Sequence, residues 1–401
     1  MIPFIQNIKT NKKIINLMII YFSLFILIIF KAKNTEITVD EAYSFLNYAY
    51  VGDYLNIGIA NNHILNSYLM YLFQNIGYSE LILRLPNILF GLVYLLAAFH
   101  ISKRTKNYIF SSALLLLNPY IIDFFSIARG YGISTSLIFL AIYLYVSFKE
   151  HSLIWPIILL SISTLSYHVS VVYLIIFWFI NLKKIITNEK KILAFFINFI
   201  VIATSVVNIY ILFQITAFGR PLYGLPNIKI INLLSESFGL HGLYVNESLL
   251  FKFFLSIFFL LPILSFSKFE KNIKRLVLIS YSSLFSIYLI PYILDKPFPL
   301  LRTVLPFLPP ILFLFVETSK IYFNNFNFKY MNLISTITVV ILLSNFVNNI
   351  ELRKTIDWKD GDPSEEVLEI NECGYVIAFY DLDSVGQYYR LLDQRTISTN
   401  C

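Results

Sequence analysis

The stretch Ile14-Ile15-Asn16-Leu17-Met18-Ile19-Ile20-Tyr21-Phe22-Ser23-Leu24-Phe25-Ile26-Leu27-Ile28-Ile29-Phe30 contains no charged side chain. An apolar run of this kind reads as a membrane span, since a helix needs about 20 such residues to cross the hydrocarbon layer. Lys9, Lys12 and Lys13 precede it, and no small-residue cleavage site follows Phe30. That combination describes an uncleaved signal-anchor rather than a removable leader.

The rest of the chain repeats the pattern. Of 401 residues, 57% are hydrophobic, 17% aromatic and only 14% charged, with a mean hydropathy of +0.70. A soluble domain carries about a quarter charged residues, so the composition excludes an ordinary globular protein. The net charge of +7 is therefore read through membrane topology and not as affinity for nucleic acid. Hydropathy predicts about eleven spans, near 14–30, 81–101, 108–127, 131–148, 153–167, 169–182, 192–214, 249–267, 276–294, 303–319 and 330–350.

The polar gaps between spans alternate in charge. One set carries Lys103, Arg104 and Lys106, then Lys149, then Lys183, Lys184, Lys190 and Lys191, then Lys268, Lys271, Lys274 and Arg275, then Lys320 and Lys329. The positive-inside rule places that set and the N-terminus in the cytoplasm. Lys31 and Lys33 lie on the other side and are outvoted by the later loops. The sequence thus predicts an all-α polytopic protein of the bacterial inner membrane, with a transmembrane domain over 1–350. A small extracytoplasmic C-terminal segment, 351–401, follows on the outer, periplasmic side.

Three outer segments remain for function: the loop 31–80, a loop from about Ile215 to Ser248, and the tail. The tail holds a strand-like run from Tyr375 to Tyr380 and a helical pattern from Ser384 to Leu392, a short α/β element expected to pack on the membrane domain. Cys373 and Cys401 both lie there, where a disulfide and two unpaired thiols are both open. The first outer loop reads as two interfacial helices. The first opens at Asp40-Glu41 and is rich in tyrosine (Tyr43, Tyr48, Tyr50, Tyr54), a side chain that favours the headgroup level. The second, 62–74, places His63, Ser67 and Tyr71 on one face at i, i+4, i+8.

Asp40 and Glu41 can accept a proton or hold a cation. They can equally cap a helix, with Asp40 as the N-cap and Glu41 in the first turn. Other ionisable residues gather at the same level: Arg84 near the outer end of the second span, Asp123 and Arg129 around the turn after the third, His168 between the fifth and sixth, and Arg302 at the start of the tenth. Snorkelling to headgroups accounts for any single arginine. Several cations facing an acidic pair describe a site for an anionic lipid phosphate beside a base.

These residues, taken in order, resemble the integral-membrane glycosyltransferases of GT-C architecture, in particular the superfamily of protein O-mannosyltransferases and lipid A aminoarabinose transferases. The matching stretches are Val39-Asp40-Glu41-Ala42-Tyr43, Asn62-His63-Ile64-Leu65, Leu83-Arg84-Leu85-Pro86 through Gly91, Ala128-Arg129-Gly130-Tyr131, Ser166-Tyr167-His168 and Arg302-Thr303-Val304-Leu305-Pro306. The resemblance implies transfer of a sugar from a polyprenyl-phosphate carrier to a glycan, lipid or protein acceptor on the outer face. By position, Asp40 becomes the general base with Glu41 assisting, while Arg84, Arg129 and Arg302 bind the donor phosphate. His63, His168 and Asp123 become substrate-binding residues. The resemblance makes no cofactor certain and leaves a divalent metal ion open, since some GT-C enzymes use one. The chain departs from the family at His63-Ile64-Leu65, where His-Pro is common. Two other readings compete, an O-antigen polymerase or ligase and a flippase or transporter of lipid-linked sugars. A transporter would place its ionisable groups near the bilayer middle, on broken helices.

Overall fold

The computed structural model describes residues 2–56, 62–147, 153–217, 224–225, 259–293, 298–299, 301–325, 328–353, 355 and 387–388. These residues build an all-α, multi-pass membrane architecture. Eight helices are long and apolar enough to cross a bilayer, or nine if one bent pair counts as a single span, among the described residues. The chain runs α1 (Ile2–Asn34), α2 (Val39–Ser44), α3 (Ile64–Phe73), α4 (Glu80–Lys103), α5 (Tyr108–Leu116), α6 (Pro119–Phe125), α7 (Gly130–Ser147), α8 (Ile154–Ser166), α9 (Val171–Asn188) and α10 (Lys191–Ala217). It continues through α11 (Lys271–Ile293), α12 (Leu308–Asn325) and α13 (Phe328–Asn349). Gly224–Leu225 and Phe298–Pro299 form a two-residue antiparallel pair, β1 and β2.

The expected eleven spans exceed this count for two identifiable reasons. The segment expected at 153–167 is α8, whose 13 residues are apolar but too short to pass alone. The one expected at 249–267 lies mostly outside the described residues, of which 259–264 are helical. The outer loop from 215 to 248 lies almost wholly outside them too, as do both cysteines and the tail elements apart from Gln387 and Tyr388.

The bent pair has a local cause. Pro119 has no amide hydrogen to donate and disfavours helical backbone at Asn118, so α5 stops and a new helix starts. Pro119 takes the first position of α6, and the Asn118 Oδ1 accepts from the Ile121 amide at 3.1 Å as its cap. The two halves meet at 61°.

Burial sorts the helices. In α7, 72% of the apolar window is buried, and 78% in the Arg302–Phe323 segment, against 17% for α1 and 22% for α10. Ile15, Met18, Ile19, Phe22 and Ile26 of α1 and Phe195, Phe199, Ile202 and Val206 of α10 point outward, which suits contact with acyl chains. Lipid offers no hydrophobic drive between helices, so close approach through small residues does that work. A Cβ on Gly132 would stand 2.3 Å from the Phe124 carbonyl oxygen, and one on Gly130 would stand 2.0 Å from that of Ser166. Glycine at these positions lets the start of α7 lie directly on α6 and on the end of α8.

The first loop folds differently in detail from its expectation. Thr38, not Asp40, is the N-cap of α2: its Oγ1 accepts from the Glu41 amide at 3.2 Å, and Glu41 Oε2 accepts from the Thr38 amide at 2.9 Å. This reciprocal capping box satisfies two orphan donors at once. A single π-helical turn, Phe45–Ala49, continues α2. His63 precedes α3 as its N-cap residue and does not share a helical face with Ser67 and Tyr71. Near the chain's end, Tyr388 is fully buried against this loop, edge-on to Phe45 at 5.8 Å, and its hydroxyl donates to the Tyr78 carbonyl at 2.6 Å.

Candidate functional site

Glu41 and Arg84 form a closed unit. Arg84 Nε donates to Glu41 Oε1 at 2.8 Å and Nη2 to Oε2 at 2.7 Å. The remaining guanidinium hydrogens go to the carbonyls of Ala32 (2.9 Å), Thr35 (2.5 Å) and Glu36 (2.8 Å). A guanidinium has five N–H groups, and here all five are used. Glu41 is equally occupied, because Oε1 also accepts from the Ala128 amide at 2.6 Å and Oε2 from Thr38. Burial alone would raise the Glu41 pKa; the Arg84 charge and the Ala128 and Thr38 amides outweigh it and hold the carboxyl below its ordinary value.

This geometry corrects two expectations. Arg84 has no hydrogen left for a lipid phosphate, and Glu41 no lone pair left for an acceptor proton. Their role is to hold three chain segments together: the end of α1, the start of α2, and the turn at Ala128. That turn is pinned from its other side as well. Asn66 donates to the Ala128 carbonyl at 2.8 Å, and Asn87 of α4 donates to Asn66 Oδ1 at 3.0 Å. With both polar groups of Ala128 fixed, the backbone that carries Arg129 is fixed too.

Asp123 is also corrected. Its carboxylate lies 2.8 Å from Lys31 Nζ, with both side chains fully buried. Lys31 donates in addition to the Glu351 carbonyl, tying the end of α13 to α1. Asp123 is thus a partner of Lys31 within the bundle. The pair also explains how a lysine sits on the sparsely basic side of the bundle: its charge is matched internally.

Asp40, Arg129 and Arg302 do converge. Asp40 Oδ2 lies 3.3 Å from Arg129 Nη2 and 3.4 Å from Arg302 Nη2. Arg129 is buried, and its Nη1 donates to the Asp40 carbonyl (3.1 Å) and Ser44 Oγ (3.0 Å). Asp40 and Arg302 are partly exposed, at 18% and 21% of their side chains. The contacts to Asp40 are longer than the 2.7–2.8 Å bonds of the Glu41–Arg84 pair. Charge-assisted bonds are strongest near the shorter distance, so these two contacts are weaker than those of the Glu41–Arg84 pair.

Both predicted histidines border this cluster. His63 is buried, with Tyr131 edge-on at 4.8 Å and Tyr167 at 6.3 Å. Its pKa is pushed well below 6.5, first by burial and then by the Arg129 and His168 charges, so the imidazole is neutral. His168 Nδ1 shares a hydrogen with Asn208 Oδ1 at 3.0 Å, and Asn208 donates on to Thr164 Oγ1 at 2.9 Å. Tyr131 and Tyr167, which lie 5.0 Å apart, were missed as individual residues although both stand inside the quoted motifs. Burial first, then Tyr131, raises the Tyr167 pKa well above 10, so its hydroxyl stays a donor.

No group of three or more metal-ligating side chains occurs among the described residues. No family model, curated protein or solved structure matches this chain.

Proposed function

We propose that this protein is a membrane glycosyltransferase that moves a sugar from a polyprenyl-phosphate-linked donor to a hydroxyl acceptor on its outer, loop-bearing face. The observation that carries the reading is the single Asp40 oxygen set between Arg129 and Arg302, at the edge of a buried aromatic and imidazole wall. A donor phosphate competes with Asp40 for the two guanidinium groups, and Arg302, the more exposed, has the room to follow it. Asp40, so released, takes the proton of the acceptor hydroxyl as its oxygen bonds to the anomeric carbon. The bond from that carbon to the phosphate oxygen breaks, and the arginines stabilise the charge left on the carrier phosphate. Tyr131, Tyr167 and His63 offer ring faces and edges to a sugar.

A transporter of lipid-linked sugars is the second reading, favoured by the break between α5 and α6 beside a buried ion pair. It ranks lower because Lys31 sits in the last turn of α1, at a helix end and not in the bilayer middle. The test is purified protein in lipid vesicles with a polyprenyl-phosphate sugar, together with glycan profiles of cells with and without the gene. Release of free carrier phosphate coupled to a lengthened glycan supports transfer. Movement of the intact donor across the vesicle without release replaces it with the second reading.

A further inference from the structure

We infer that the face opposite the candidate site carries a binding cleft for one anionic phospholipid, between α5 and α13. The cleft has a volume of about 490 Å³, within the range of ligand pockets. Its lining combines polar Lys106, Asn107 and Ser335 with apolar Phe323, Val339 and Val340; Ser335 is buried, while Lys106 and Val340 are exposed. Asn107 Nδ2 donates to Ser335 Oγ at 2.8 Å, and that hydroxyl donates to the Asn332 carbonyl at 2.9 Å. Asn107 also caps α5 through Oδ1, so the lining group whose charge can meet a headgroup is Lys106.

Charge indicates the occupant. Lys106 is exposed in this lining, and Lys13 lies over the Tyr108 ring at 5.5 Å while donating to the Lys103 and Thr105 carbonyls. The sequence has no acidic residue from 81 to 122, nor from 318 to 350, so both walls come from stretches without negative charge. By the distribution of basic loops this face is cytoplasmic, and basic pockets between spans on that side bind acidic headgroups. Ser335 and Val339 are one helical turn apart, so a headgroup beside Lys106 and an acyl chain along Val339 and Val340 follow the direction of α13. Only 22% of the α13 window is buried, and a seated lipid supplies contacts that the protein itself does not. The inference holds whether or not the chain transfers sugar.

Native mass spectrometry of the purified full-length protein tests this, with phosphatidylglycerol and phosphatidylcholine of identical chains added in turn. Wild-type protein retains one phosphatidylglycerol in preference, and that lipid raises its melting temperature by about 3 °C. Lys106→Glu removes the headgroup preference, while Val340→Trp, at an exposed position of the lining, obstructs the acyl-chain part of the cleft and removes retention of both lipids. Equal retention of the two lipids by wild type overturns the proposal, as does an unchanged preference in Lys106→Glu. A lipid-independent dimer that Val340→Trp dissociates assigns the cleft to a second copy instead, and overturns it too.

Discussion

Glu41 holds Arg84 by two short parallel hydrogen bonds, while Asp40, one residue earlier, sets one carboxylate oxygen 3.3 Å from Arg129 and 3.4 Å from Arg302. Adjacent carboxylates on one short helix point in different directions, and here they divide two jobs. One closes the scaffold and, on the proposed function, the other serves as the base.

That division makes the two positions separable. Asp40→Asn is expected to lower transfer by about 10²–10⁴-fold, the usual worth of a positioned base, with a smaller loss of stability than Glu41→Gln because Arg129 keeps the Asp40 carbonyl and Ser44 as acceptors. Glu41→Gln is expected to destabilise by about 3–5 kcal/mol, because Arg84 then stays buried without its charge partner. Transfer assays and thermal melts on the same preparations distinguish them; equal melting of both variants would contradict the assignment.

The arginines separate in the same way. Arg302→Ala should raise the KM for the lipid donor about tenfold or more, the loss expected for a charge-assisted phosphate contact, and leave folding intact. Arg84→Ala should instead yield little folded protein. Donor titrations of detergent-solubilised variants give the first result and size-exclusion profiles the second.

Lys31 and Asp123 lend themselves to a double-mutant cycle. Removing either partner strands a buried charge, so Lys31→Met and Asp123→Leu are each expected to cost about 3–5 kcal/mol, and the double variant to recover most of that. Additive losses in thermal melts would show that the pair is not coupled.

Acid should act through Glu41 and His63. The Glu41 pKa is lowered on folding, so its pairing contributes fully above its unfolded value of 4.5 and is lost as pH falls below that. His63 is a base whose pKa also falls on folding: stability is greatest above 6.5 and declines as the unfolded chain protonates below it. Melting temperatures between pH 8 and pH 4 should therefore drop in two stages, and His63→Gln should flatten the first.

How far the sequence could be read follows from what each residue's neighbours are. Apolar runs located α1, α4, α7, α9 and α10 closely, since hydropathy needs no tertiary information. The capping box was also visible as Thr38-x-x-Glu41, and reading it would have made Thr38, not Asp40, the N-cap. Neither Arg84's five acceptors nor Asp123's lysine was legible, because those partners come from loop carbonyls and from a helix far away in sequence. The convergence of Arg129 and Arg302 on Asp40 follows the sequence expectation of a mixed-charge cluster. Tyr131 and Tyr167 gain their interest only from the fold that sets them around His63.

The buried Lys31–Asp123 contact has a consequence for biogenesis. On the proposed topology, Lys31 reaches the far side of the membrane with the first helix, long before Asp123 has been translated. Until then a bare ammonium sits at the translocated end, where it weighs against the orientation that Lys9, Lys12 and Lys13 favour. Synthesis of α6 supplies the missing carboxylate and withdraws that ammonium from water. A nascent chain halted before Asp123 is therefore the stage at which the first helix is most prone to insert the wrong way round.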